Sequence, residues 1–126
     1  MIAILKYNAG NALSVKNAVR KLGFSTVITD DIEVLKSAEK VIIPGVGEAG
    51  SAMNYLKEKG LDKVIKSFTQ PVLGICLGMQ LLCEFSEEGA TETLGIFKTK
   101  VLKFPPKELV PHTGWNDFKS VEGKLF

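Results

Sequence analysis

Apolar residues fall into short unbroken runs separated by longer stretches in which they recur every third or fourth position. The runs are Ile2-Ala3-Ile4-Leu5, Thr26-Val27-Ile28, Val41-Ile42-Ile43 and Val72-Leu73-Gly74-Ile75. Side chains alternate between the two faces of a strand, so an unbroken run predicts a strand covered on both, as in a parallel sheet. Between the first two runs, Val15, Ala18, Val19 and Leu22 fall at i, i+3, i+4 and i+7, which predicts a helix closed by Gly23. A short helix over residues 34–38 follows the capping turn Asp30-Asp31. Ala49, Ala52, Met53 and Leu56 mark another helix up to Gly60, and Leu61, Val64, Ile65 and Phe68 continue its stripe at the same spacing.

Strands alternating with helices imply right-handed β-α-β crossovers and a three-layer α/β/α architecture around a mostly parallel sheet. Sites in such sheets lie beyond the carboxyl ends of the strands. Gly10-Asn11, Gly45-Val46-Gly47 and Cys76 all follow strands directly, so three loops are expected to converge on one edge. Beyond about Phe85 the pattern changes. Glu87-Glu88-Gly89 and Thr91-Glu92-Thr93 read as polar loop, and residues 97–104 as a half-exposed strand. The polar face of that strand shifts near Val101, which suggests a bulge, and Pro105-Pro106 ends it.

Composition narrows the picture only slightly. At 126 residues, 45% hydrophobic and 24% charged, the chain is expected to form one soluble domain over residues 1–126. A net charge of +2 is too small to point to nucleic acid or a membrane surface. Lys98, Lys100 and Lys103 read as the solvated face of a strand rather than as a phosphate site. No apolar run approaches the roughly 20 residues of a transmembrane helix, and a cytoplasmic location is expected. Cys76 and Cys83 fall on one predicted helix, too far apart along it to form a disulfide. One histidine and two cysteines also make a poor zinc set.

The candidate chemistry lies at Gly74-Ile75-Cys76-Leu77-Gly78-Met79-Gln80. A strand leads into G-x-C-x-G and then a helix, the cysteine form of a nucleophile elbow. A turn this sharp brings backbone segments together and leaves little room for Cβ atoms, hence the flanking glycines. The helix start directs free N–H groups toward the sulfur, a setting that favours negative charge there. The Leu77 amide is placed to donate to an oxyanion formed by attack of Cys76 on a carbonyl. Gln80, one turn later, shares the helix face of Cys76 and can bond a substrate. The competing reading makes Cys76 a small buried hydrophobe, which is where most free cysteines lie. The strand–elbow–helix context favours the nucleophile, whereas Cys83 reads as core.

Pro44-Gly45-Val46-Gly47 could supply the other half of an oxyanion hole from its backbone amides. Glycines on both sides of Val46 would let that peptide flip. By itself the motif fits a tight turn equally well. His112 is the only imidazole available as a base for Cys76. Nothing in the sequence places its loop at the Cys76 edge, so an ordinary loop or interface histidine is the favoured reading.

The segment G-I-C-L-G-M-Q-L-L resembles the nucleophile motif of class I (triad) glutamine amidotransferases, whose fold is flavodoxin-like. P-G-V-G at 44–47, Y-N-A-G-N at 7–11 and P-H-T-G-W-N at 111–116 resemble, more narrowly, the glutaminase subunits of imidazole glycerol phosphate synthases of histidine biosynthesis. That resemblance implies hydrolysis of L-glutamine to glutamate and ammonia through a thioester on Cys76. It implies oxyanion amides from Val46 and Leu77, glutamine bound by Gly47, Gln80 and Glu88, and no metal or cofactor. It also implies a heterodimer with a (β/α)8-barrel cyclase that consumes the ammonia, docked near Asn11, Trp115 and Asn116. Lys6, Asn8 and Thr113 stand where the family more usually has Asp, Gly and Met. The family's catalytic His and Glu lie well C-terminal, in an H-P-E segment, and the sequence reaches Phe126 without one. The expectation is therefore a piece of such a subunit, without its triad partners and inactive as it stands. The alternatives are another class I amidotransferase with a different acceptor partner, and a non-catalytic docking module. An intact G-x-C-x-G-x-Q argues against the last.

Overall fold

The computed structural model describes residues 1–123. Strands β1 (Ile2–Leu5), β2 (Thr26–Thr29), β3 (Lys40–Ile43) and β4 (Val72–Gly74) form a parallel sheet in the order β2-β1-β3-β4. Between them run α1 (Ala12–Lys21), α2 (Ile32–Ser37), α3 (Ala49–Glu58) and α4 (Leu61–Lys66), and α5 (Leu77–Leu82) follows β4. The strand order places β2 to one side of β1 and β3 and β4 to the other. Right-handed crossovers then put α1 on one face of the sheet and α2, α3 and α4 on the opposite face. The expected mostly parallel α/β architecture is thus observed.

Burial follows from that arrangement. The main core joins Ala3 and Leu5 of β1 and Val41 and Ile43 of β3 to Leu35, Met53, Leu56, Leu61, Leu77 and Leu81 from the helices. The alternate strand residues face α1 and form a row across the sheet, Ile28–Ile4–Ile42–Leu73. This row opens toward β4: Ile4 is 0% exposed, Ile42 8% and Leu73 36%. An apolar cavity of about 400 Å³ lined by Ile2, Ile42 and Leu73, among others, lies along this half of the face. The stripe expected to bury α1 is correspondingly incomplete. No α1 residue is fully buried, and Leu22 lies 74% exposed just past the helix.

Several boundaries differ from expectation. The stripe running from Ala49 to Phe68 is divided into α3 and α4 by Gly60, whose φ of 68° ends one helix and starts the next. Helix α5 stops at Leu82, which makes Cys83 its C-cap rather than a mid-helix residue. The carbonyls at its end are satisfied by the segment that returns past them: Leu94, Gly95 and Ile96 donate to Leu81, Cys83 and Leu82.

The region read as polar loop contains a second, small sheet. It comprises β5 (Phe85–Ser86), a 3₁₀ turn at Glu88–Ala90, β6 (Thr91–Glu92) and β7 (Lys100–Val101), ordered β6-β5-β7. The long strand expected over residues 97–104 is therefore reduced to β7. Val101 pairs in regular parallel register with Ser86, and Phe97, Leu102 and Phe104 are exposed. Strands of two residues carry no periodicity, which is why the alternation was misleading. Among the described residues no helix is long and apolar enough to cross a membrane.

Candidate active site

Cys76 sits on the turn between β4 and α5 with φ 52° and ψ −112°. That is a sparsely populated conformation for a residue with a side chain, costing on the order of 1–3 kcal/mol. The surrounding backbone enforces it. A Cβ on Gly74 would lie 2.7 Å from the Met79 nitrogen and 2.8 Å from the Gly78 carbonyl carbon. A Cβ on Gly78 would run into the Ile43 carbonyl oxygen, which already accepts from the Ile75 N–H at 3.0 Å. Both glycines of G-x-C-x-G are thus required by close backbone approach. The result is an exposed Cys76 thiol at the start of α5, whereas Cys83 is buried. Cys83 directs its thiol at the Met79 carbonyl, and burial pushes its pKa up.

The loop after β3 meets this turn. Gly45 passes between the Tyr7 hydroxyl and the Leu77 side chain; a Cβ there would strike the hydroxyl and lie 2.9 Å from the Leu77 Cβ. Its φ lies outside the left-handed region, so Gly45 is required for clearance and not for an unusual dihedral. Gly47 is the residue that needs conformational freedom, at φ 135°. Among the described residues neither the Val46 nor the Leu77 N–H donates a hydrogen bond within the chain. Two backbone donors on neighbouring loops are left open, as an anion-stabilising site requires.

Residues that the sequence reading passed over hold this loop at both ends. The Tyr7 hydroxyl donates to the Pro44 carbonyl. Burial, and then the charge of a nearby Cys76 thiolate, push the Tyr7 pKa above the usual tyrosine range, so the hydroxyl remains a donor. Asn8 donates from Nδ2 to the Ser51 carbonyl at 3.1 Å. Glu48 caps α3 by accepting from the Gly50 N–H at 2.6 Å and the Ser51 N–H at 2.8 Å. The backbone bonds from Ser51 and Gly50 hold its carboxyl below the usual glutamate range. Asp31 caps α2 in the same way and was legible; glutamate is not among the residues strongly preferred at that position.

One turn after Cys76, Gln80 lines a cavity of about 240 Å³ with Glu88, Val101, Leu102 and Lys103. The Gln80 Oε1 is buried and accepts no hydrogen bond among the described residues. A buried amide oxygen without a donor is costly unless something else occupies the site. The second sheet therefore brings Glu88 to the same cavity as Gln80, and adds Lys103, which the sequence reading had placed on a solvated face. The remaining candidates are dispersed. Asn11, at φ 83°, precedes α1 and is exposed, Trp115 is fully exposed, and Asn116 donates to the nearby Gly114 carbonyl at 3.4 Å. His112 lies exposed in an irregular segment, and among the described residues no hydrogen bond joins it to Cys76. No group of described His, Cys, Asp or Glu side chains could hold a metal ion.

Residues 3–109 match the CobB/CobQ-like glutamine amidotransferase domain family. Among curated proteins, the chain is 57% identical over 128 aligned positions to an imidazole glycerol phosphate synthase subunit HisH of Bacteroides fragilis (strain YCH46). It is 55% identical to the protein of the same name from Bacteroides thetaiotaomicron and 50% identical to that of Sulfurimonas denitrificans. These alignments cover 99%, 99% and 100% of this chain but 65% of each relative's length. A crystal structure titled as a glutamine amidotransferase superposes with a TM-score of 0.71 at 20% identity, covering 86% of this chain and 59% of that one. At that identity the superposition speaks to the fold alone.

Proposed function

The chain belongs to the CobB/CobQ-like glutamine amidotransferase domain family, and from its 57% identity to an imidazole glycerol phosphate synthase subunit HisH we propose that it is the glutaminase part of such a synthase. The whole chain acts as one amidotransferase domain in this reading, cytoplasmic and paired with a (β/α)8-barrel cyclase. Glutamine binds with its ammonium accepted by Glu88 and the unpartnered Gln80 carbonyl, beside the Gly47 backbone. The Cys76 sulfur adds to the side-chain amide carbon, and the oxygen takes up the negative charge in front of the Val46 and Leu77 amides. Collapse reforms the carbonyl, breaks the C–N bond and releases the nitrogen, which leaves as ammonia once protonated. Water then attacks the thioester, giving glutamate and the free thiol. The ammonia passes to the cyclase, whose docking surface includes Asn11, Trp115 and Asn116.

The observation that carries this reading is the strained, exposed Cys76 on a turn where Gly74 and Gly78 leave no room for a Cβ. Turnover also needs an acid for the leaving nitrogen and a base for the attacking water. The 126 residues contain one imidazole, and His112 is not bonded to Cys76. This chain is accordingly proposed to present a reactive Cys76 thiol without turning over glutamine. The test is exposure to a glutamine-derived electrophile, followed by mass spectrometry of the modified peptide. Modification of Cys76, protected by free glutamine, is expected; a chain that ignores the reagent would instead be a docking module. Steady ammonia release from this chain alone, lost in His112→Ala, would show that its base is built differently.

A further inference from the structure

Tyr7 lies in the segment between β1 and α1 and has no part in the chemistry above, yet its buried hydroxyl lies beside the nucleophile turn. It donates to the Pro44 carbonyl, the first acceptor of the loop after β3. A trans peptide is planar, so fixing that carbonyl fixes the direction of the Gly45 N–H and the position of the Gly45 Cα, from which the Val46 peptide is built. Gly45 then runs through a gap bounded by the Tyr7 hydroxyl and the Leu77 side chain, too narrow for any Cβ. Leu77 immediately follows Cys76 and belongs to the main core. Hydroxyl, Gly45 backbone and Leu77 form one contiguous line from β1 to the nucleophile turn. The other end of the loop is held separately, by the Glu48 cap on α3. The free stretch is therefore Gly45-Val46-Gly47, and Tyr7 supplies its upstream anchor.

We propose that Tyr7 is a positioning residue for acyl transfer at Cys76: its hydroxyl fixes the Pro44–Gly45 peptide and thereby the placement of the Val46 amide relative to the Leu77 amide. This rests on Cys76 being the glutaminase nucleophile. Tyr7→Phe keeps the ring in the core and removes only the anchor. The effect should appear where an oxyanion forms and be absent where none does.

Two reactions of the full chain separate these cases. With the γ-(4-nitrophenyl) ester of glutamate, the Cys76 S–C bond forms, the C–O bond to the aryl group breaks, and nitrophenolate leaves with the electron pair. The thiol proton goes to buffer. That leaving group needs no acid, so one turnover is readable as a burst of nitrophenolate. Iodoacetamide instead alkylates the same sulfur at a saturated carbon, with iodide leaving and no oxyanion. Misplacement of catalytic groups by about 1 Å can cost 100-fold in rate. Tyr7→Phe is expected to slow acylation about tenfold or more while alkylation stays within about twofold. Equal acylation in the variant, a parallel loss of both reactions, or a variant that no longer folds by circular dichroism would each overturn the inference. A burst missing from the unsubstituted chain would instead refute the nucleophile reading, and this inference with it.

Discussion

The Glu48 carboxylate occupies the space into which a side chain on Gly89 would extend: a Cβ there would lie 2.6 Å from Oε1. Gly89 also has φ 68°, so both space and dihedral call for glycine. One carboxylate thus caps α3 and fits against the 3₁₀ turn that carries Glu88, joining the end of the Gly45–Gly47 loop to the cavity beside Gln80.

This arrangement makes stability depend on acid. The Glu48 pKa is lowered in the folded chain, so the native state holds that proton less tightly than the unfolded one. Its contribution is complete above the unfolded glutamate value and fades as pH falls through the lower native value. Urea titrations of the chain and its Glu48→Gln variant should differ at pH 7 and converge once pH falls below the lowered native value. A gap of the same size at both ends of that range would assign the cap's effect to shape and not to charge.

Gly78 and Gly10 should respond oppositely to the same added methyl. At Gly78 the new Cβ meets the Ile43 carbonyl, a backbone group that cannot rotate away; at Gly10 it meets nothing within 4 Å. Gly78→Ala is expected to cost about 3 kcal/mol or more, and Gly10→Ala to stay within about 0.5 kcal/mol. Chemical denaturation of the two variants gives both numbers. Similar midpoints would contradict the account of the elbow.

Much of this was readable in the sequence, and the parts that were not have separate causes. The four parallel strands, the Asp31 cap and the elbow each left a local signature: an apolar run, a short polar side chain before a helix, glycines around a cysteine. Tyr7 and Asn8 left none, because each acts on backbone groups that the fold alone brings near, and Glu48 was hidden because glutamate is not a preferred capping residue. Tyr7 reaches Pro44 just past the end of the neighbouring strand β3, and Asn8 reaches Ser51 near the start of α3. The second sheet escaped for another reason: β5, β6 and β7 are each two residues long and are set by pairing, not by their own pattern.

The two thiols should be readily distinguished. Cys76 is exposed, whereas Cys83 is 3% exposed, directed at a carbonyl and raised in pKa by burial. Thiolate fraction and access together control alkylation, so Cys76 should label at least about tenfold faster in folded protein. Peptide mapping by mass spectrometry after a short pulse decides it, and comparable labelling of Cys83 would refute the assignment.

Gln80→Met is expected to separate stability from chemistry. The buried Oε1 accepts no hydrogen bond among the described residues, so replacing the amide with an apolar side chain of similar length should leave stability unchanged or raise it by up to about 1 kcal/mol. Cys76 should meanwhile lose its preference for glutamine-derived electrophiles and keep its rate with iodoacetamide. A clear fall in denaturation midpoint would mean that Oε1 has a structural partner in solution.

Strand β4, which leads into Cys76, is the shortest of its sheet and bonds to β3 alone among the described strands. The left-handed backbone of Cys76 persists only while β4 is docked and Gly74 and Gly78 remain in contact. When the strand lifts, the cysteine relaxes to ordinary dihedrals, so detachment and relief of strain are one event. Amide hydrogen exchange at Ile75, whose N–H is bonded to the Ile43 carbonyl, is therefore a direct gauge of how often the nucleophile is out of position. A ligand that grips only the reactive geometry would slow that exchange in proportion to its own saturation.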